Sequence, residues 1–277
     1  MKQYNRYLLI YLTVVFGLAW SIMIGCAIFA NLLTPLIGPL SLTHPLIIFV
    51  LYLPSLTGLA IYGYAEGVSG VKGILRKLIP RQQDWVWFPV LLILFIGFAL
   101  SMRFGSLLLG IDTPKITDTF MHMLTKALWN LIEETGLIGG IFGWIGFVLP
   151  FFQKKFKKNI PSALLTGLLF GLWVMPGYGF SSMASVTSYL LYVLQLMSFI
   201  SLASYIFNAT AGNLSCYLFA FWLAATGSHI QLYYFNIPVQ VMEVVFLTIA
   251  TVLLHFSLKK LSVESQIQTF PDFIYKD

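Results

Sequence analysis

The sequence predicts an all-α chain, a polytopic membrane helix bundle of about eight transmembrane helices. Three observations predict it. Of 277 residues, 58% are hydrophobic and only 9% charged, and the mean hydropathy is +0.86, a balance far from that of a soluble domain. The apolar runs are about twenty residues long and continuous rather than alternating, which selects helices over a barrel. The basic residues sort to one side of the implied loops.

The candidate spans are roughly 7–31, 45–65, 85–109, 119–150, 160–176, 185–206, 212–228 and 238–258. The first follows Lys2 and Arg6, and its apolar run is too long for the h-region of a signal peptide, so an uncleaved anchor is expected. Met23-Ile24-Gly25-Cys26 faintly resembles a lipoprotein cleavage box, but small residues in a helix interface explain Gly25 and Cys26 equally well. The longest connection runs from Glu66 to Asp84. Gly67, Gly70 and Gly73 break its regularity, and Ile74 to Ile79 forms a short amphipathic stretch ended by Pro80, read as an interfacial helix on the inner leaflet. Trp85, Trp87 and Phe88 mark re-entry at headgroup depth. Span 119–150 is long enough to tilt or to break near its glycines. Lys154 to Lys158 is a tight basic turn, and the next span is short if it stops at Pro176. The tail from Leu261 to Asp277 is polar enough to leave the membrane.

Thirteen basic residues fall on one side of these spans, while Arg103 and Lys115 fall on the other and Lys126 lies within a span. This places both termini in the cytoplasm of a bacterial-type plasma membrane. Topology and lipid headgroups account for the net charge of +6, so the expected partners are the bilayer and a membrane protein or peptide, with no nucleic acid. The two cysteines, Cys26 and Cys216, lie inside spans and imply neither a disulfide nor a metal site.

Polar residues inside the membrane are the first functional candidates. Lys126, Asn130, Glu133 and Glu134 share one helical face by spacing. The adjacent face carries Gly136, Gly139, Gly140, Gly143 and Gly146, which let another helix approach closely. Glu133 or Glu134 could serve as a general base toward water. The alternative is a structural stripe in which Lys126 pairs with a glutamate through Asn130 or water. Hydrolysis also needs an oxyanion stabiliser, and none of His44, His122, His229 and His255 falls clearly beside Glu133. Glu243 reads as an outer-interface residue that could pair across helices.

Residues 139–176 carry the most specific signal. Gly140-Ile141-Phe142-Gly143-Trp144-Ile145-Gly146 leads to Leu149-Pro150, and Phe170-Gly171-Leu172-Trp173-Val174-Met175-Pro176 follows. Thr210-Ala211-Gly212-Asn213 comes next, with Phe221 and Ala225 beyond it. These segments, with Leu53-Pro54-Ser55-Leu56 upstream, resemble the CPBP (Abi) family of CAAX proteases and bacteriocin-processing enzymes. The resemblance covers roughly residues 45–228. It divides the chain into an anchor helix with an outer loop (1–44), a CPBP-like membrane core (45–228), and a last helix with a cytoplasmic tail (229–277).

In that family paired glutamates activate water, an arginine orients one of them, and a histidine and an asparagine stabilise the oxyanion or help hold a metal. The resemblance maps these roles onto Gly140, Ile141, Ile145, Val174, Phe221 and Ala225, which cannot perform them. A second register, Glu133-Glu134-Thr135-Gly136, lies seven residues upstream, about 10 Å along a helix. The resemblance therefore implies a degenerate member that uses no cofactor or metal. It would bind a membrane peptide in the groove between spans 119–150, 160–176 and 212–228, through Lys126, Asn130, Trp144, Phe170, Trp173 and Asn213. Regulation or immunity to a membrane-active peptide are roles of that kind. The alternatives are an active endopeptidase using Glu133 and Glu134, and a small-solute or lipid transporter using the Lys126 stripe.

Overall fold

The computed structural model describes residues 2–38, 44–133, 136–260 and 266–275; the side chains of 2–4, 37, 132–133 and 136–137 lie outside the description. Among the described residues there are helices and turns and no strand. The chain is a helical membrane bundle. In order the helices are α1 (Lys2–Ile28), α2 (Ala30–Ile37), α3 (Pro45–Arg76), α4 (Trp87–Leu108), α5 (Phe120–Glu133), α6 (Gly136–Gly140), a π-helix (Ile141–Val148), α7 (Leu149–Phe156), α8 (Asn159–Trp173), α9 (Met175–Gly179), α10 (Tyr189–Ala209), α11 (Leu214–His229) and α12 (Ile237–Lys260).

Five described helices are long and apolar enough to cross a membrane: Asn5–Ile28, Pro45–Arg76, Gln82–Leu108, Tyr189–Ala209 and Ile237–Lys260. Three of the eight expected spans fall on shorter elements. At 15 and 16 residues, α8 and α11 rise only about 22–24 Å against a hydrocarbon core of about 30 Å. Span 119–150 is divided into α5, α6, the π-helix and α7. Its two parts differ in kind. Helix α5 exposes Phe120, Leu124, Leu128 and Trp129, whereas every residue from Gly139 to Gln153 is buried. The glycine-rich signature is thus the centre of the bundle, enclosed by other helices.

Close backbone approach explains its glycines. A Cβ on Gly139 would stand 2.8 Å from the Leu51 carbonyl carbon, and one on Gly143 2.5 Å from that of Pro54. Gly58 of α3 is equally tight against the Phe142 carbonyl, at 2.6 Å. The π-helix closes with the Leu149 amide donating to the Trp144 carbonyl, and α3 supplies polar partners beside it. Ser55 Oγ donates to Ile138 O (2.7 Å) and accepts from Phe142 N (3.2 Å), and Tyr62 Oη donates to Gly146 O (2.7 Å). Backbone groups at membrane depth need such partners, and π-helical segments concentrate at functional sites.

The 66–84 connection is less separate than expected. Helix α3 bends at Gly67, whose φ of 64° suits glycine, then continues to Arg76. Its last turns expose Lys72, Leu75 and Arg76 and bury Gly73 and Ile74 against the bundle.

The tail packs on the bundle, which its sequence does not announce. Beyond residues 261–265, which lie outside the description, 266–275 lie against other helices. Phe270 and Phe273 are fully buried, and Ile274 nearly so. Phe270 meets Phe147 edge-on at 4.9 Å and Tyr62 at 5.0 Å, while Phe273 meets Phe207 at 5.5 Å. The short aromatic spacing carries no helix or strand period, so no packing contact is expected from sequence.

Candidate functional site

The π-helix and α8 meet through aromatic rings. Trp144 stacks on Phe170 at 5.4 Å and 17°, and Trp173 lies 6.0 Å from both. Gly140 sits against this group: a Cβ there would meet Trp144 Cδ1 at 3.1 Å and Phe170 Cζ at 4.0 Å. Helix α1 supplies the third wall. Tyr11 and Phe16 approach Trp144 at 5.6 and 6.4 Å, and Trp20 Nε1 donates to Trp173 O at 3.2 Å. Three expected binding residues, Trp144, Phe170 and Trp173, therefore converge. Helix α11, from the expected third wall 212–228, also touches the π-helix and α6.

Of the positions that the resemblance marks as catalytic, Gly140 sits against this group. Ile141 and Ile145 are fully buried, and Val174 is half-buried at the end of α8. Phe221 and Ala225 are half-buried on α11, where Phe221 packs on Phe199 and Tyr217 at 5.5 and 6.1 Å. Three donors in the aromatic group, Tyr11 Oη, Trp144 Nε1 and Trp173 Nε1, are buried without a partner among the described residues.

The polar stripe lies elsewhere. Glu134 and the side chain of Glu133 lie outside the described residues. Lys126 Nζ donates to Asp118 Oδ2 at 2.6 Å, and His122 Nδ1 lies 3.1 Å from Asp118 Oδ1; the expected pairing of Lys126 with a glutamate falls on side chains outside the described residues. Asn130 faces α11, with Nδ2 3.5 Å from Thr226 Oγ1 and Oδ1 unpartnered among the described residues. Trp222 Nε1 donates to Ala127 O at 2.8 Å and ties the same two helices. Asn213 is the N-cap of α11, accepting from Cys216 N at 3.0 Å and donating to Ile79 O at 3.2 Å.

The hydrogen bond from Lys126, aided by the charge of His122, holds the Asp118 carboxyl below its usual range. A depressed pKa contributes stability above the unfolded carboxylate pKa and loses it as pH falls through the folded value. Lys126→Met is therefore expected to flatten the acid limb of an unfolding-midpoint-versus-pH curve. The loss falls at neutral pH and vanishes in acid, and it is modest because the pair is only part-buried and screened by solvent.

Glu243, which the sequence reads as an outer-interface residue that could pair across helices, is 2% exposed and is so paired. It accepts from Gln195 Nε2 of α10, and Gln240, one turn earlier, accepts from Ser188 N at 2.8 Å. The signal was present as isolated polar letters in two apolar spans, which hydrogen-bond across helices in lipid. His255 likewise meets Tyr205 Oη at 3.1 Å. No family model matches the chain, and no characterised protein matches it either.

Proposed function

We propose that this protein is a membrane receptor for a transmembrane segment or hydrophobic peptide, built on a CPBP-type scaffold and not cutting what it binds. One observation carries the reading. The signature segment keeps its glycines and aromatics at the centre of the bundle, while its family-equivalent catalytic positions Ile141 and Ile145 are hydrocarbon at 0% exposure. A buried polar group there would need partners; isoleucine needs none, and gives no chemistry.

Helix α1 offers a face for the ligand. A hollow of about 560 Å³ beside the aromatic group is lined by Phe16, Gly17, Trp20, Ser21, Ile24 and Gly25, among others. Nothing lies within 4 Å of a Cβ built on Gly17 or Gly25. Small residues at every fourth position suit close helix packing in lipid. Cytoplasmic termini and a bacterial-type plasma membrane belong to the same proposal, supported by the charge asymmetry.

The test is a photocrosslinker at Ser21 in native membranes. The expected product is one stoichiometric, intact membrane polypeptide, lost when Gly17 and Gly25 are both changed to Leu. Cleavage of the captured polypeptide that stops in Glu133→Gln or Glu134→Gln would instead establish the endopeptidase.

A further inference from the structure

A second cavity, of about 410 Å³, lies at the basic end of the bundle, away from the aromatic group. Its lining gathers Lys72, Arg76, Lys77 and Arg81 around a single carboxylate, Asp84, with Tyr275 of the returning tail along one side. Asp84 is already engaged. Arg81 holds it through Nη2–Oδ1 at 2.9 Å and Nε–Oδ2 at 3.1 Å, and the Arg81 amide donates to the same Oδ2 at 2.9 Å. Two neighbouring acids among the described residues are also engaged: Glu66 Oε2 accepts from Tyr275 Oη at 3.0 Å, and Asp272 pairs with Lys154 at 3.4 Å. The cavity thus carries the charge of Lys72 and Arg76 without a matching carboxylate among the described residues of its lining, while Lys77 Nζ donates to the Ala211 carbonyl at 3.1 Å.

We infer that this cavity binds a phosphate ester. A topological anchor needs basic residues near a membrane surface, but it does not need them to converge on one concavity. Lys72 and Arg76 stand one helical turn apart on the exposed face of α3. Arginine engages phosphate oxygens through a planar fork, and lysine adds a point charge. The volume falls in the range of small-ligand sites and exceeds what inorganic phosphate alone fills. Ile79, which lines the cavity, is 69% exposed, and Trp85, four residues beyond Arg81, is 59% exposed. Exposed apolar and aromatic groups beside a cationic hollow match headgroup depth. The ester is therefore either the headgroup of an anionic lipid or a soluble molecule of the same glycerol phosphate chemistry. This inference is independent of the peptide-binding proposal.

The test uses the full chain in phosphatidylcholine nanodiscs and reads the unfolding midpoint. Phosphatidylglycerol in the disc, or glycerol 1-phosphate in solution, is expected to raise it by several degrees, because a ligand that binds only the folded state stabilises it. A response to the lipid alone identifies a headgroup, and a response to both identifies a soluble ester. The double variant Lys72→Gln/Arg76→Gln is expected to abolish the response. The double variant Lys259→Gln/Lys260→Gln, which removes equal charge from exposed positions outside the cavity, is expected to keep it. The inference is overturned if neither probe shifts the midpoint, if the Lys72/Arg76 variant responds as the parent does, if the Lys259/Lys260 variant loses the response too, or if oleate matches phosphatidylglycerol.

Discussion

Gly143→Ala is expected to destabilise the bundle more than its single added methyl suggests. The new Cβ would fall on the carbonyl oxygen of Pro54 and the hydroxyl of Tyr11, with the Pro54 carbonyl carbon at 2.5 Å. Overpacking usually costs about 1–3 kcal/mol when side chains can move aside. Here the obstacle is backbone, so relief requires α3 and the π-helix to separate along their shared length. Separation would also stretch the Ser55 bridge to Ile138 and Phe142 and the Tyr62 bond to Gly146. The cost therefore lies at or above the upper end of that range. Gly97→Ala on α4 is the control, because nothing lies within 4 Å of its added methyl. It should be neutral or slightly stabilising, as alanine is favoured over glycine in a helix by about 1 kcal/mol. Unfolding midpoints in one detergent measure both. Equal midpoints for the two variants would mean that the close approach of α3 to the π-helix is absent.

The glycine stripe was legible because close helix packing in lipid has a local spelling: small residues at spacings of three and four. The apolar spans were legible for a similar reason, since bilayer thickness sets their length. Other features have no local spelling. The π-helix that begins at Ile141 is braced by Ser55 bonded to Phe142 and by Tyr62 bonded to Gly146, partners 87 and 84 residues apart in sequence. The bond from Lys126 to Asp118, eight residues earlier, depends on the path of the chain into α5, which the sequence does not contain. Trp144, Phe170 and Trp173 stood out in the motifs of the resemblance, but the wall that α1 adds beside them comes from a helix that carries no such motif. A span count based on hydropathy leaves open whether 119–150 tilts or breaks near its glycines, because a segment buried in protein and one buried in lipid have the same composition.

Removal of the returning tail is expected to have the other large effect. Phe270 fills the space between Tyr62, Phe147 and Tyr7, with ring centroids at 5.0, 4.9 and 6.2 Å. Phe273 covers Gly212, where a Cβ would stand 2.5 Å from its ring, and leans on Phe207. Truncating a buried phenylalanine to alanine costs about 3–5 kcal/mol, so Phe270→Ala and Phe273→Ala each threaten a large part of the stability of one domain. A chain ending at residue 265 loses both rings together. It also loses the Gln268 amide, which donates to Gln153 Oε1 at 3.0 Å and lies 3.3 Å from Asn208 Oδ1. Buried acceptors without donors cost more than the bond itself contributed. Lys154→Ala separates these contacts from simple charge pairing: its bond to Asp272 is 3.4 Å long and exposed, a geometry that contributes at most about 1 kcal/mol. The truncated chain and both phenylalanine variants should show lower unfolding midpoints and faster proteolysis at the basic end, with Lys154→Ala near the parent. A truncated chain that unfolds with the parent would leave the tail a mere appendage. A large loss in Lys154→Ala with little in Phe270→Ala would make charge, rather than buried aromatic surface, the force that holds the tail down.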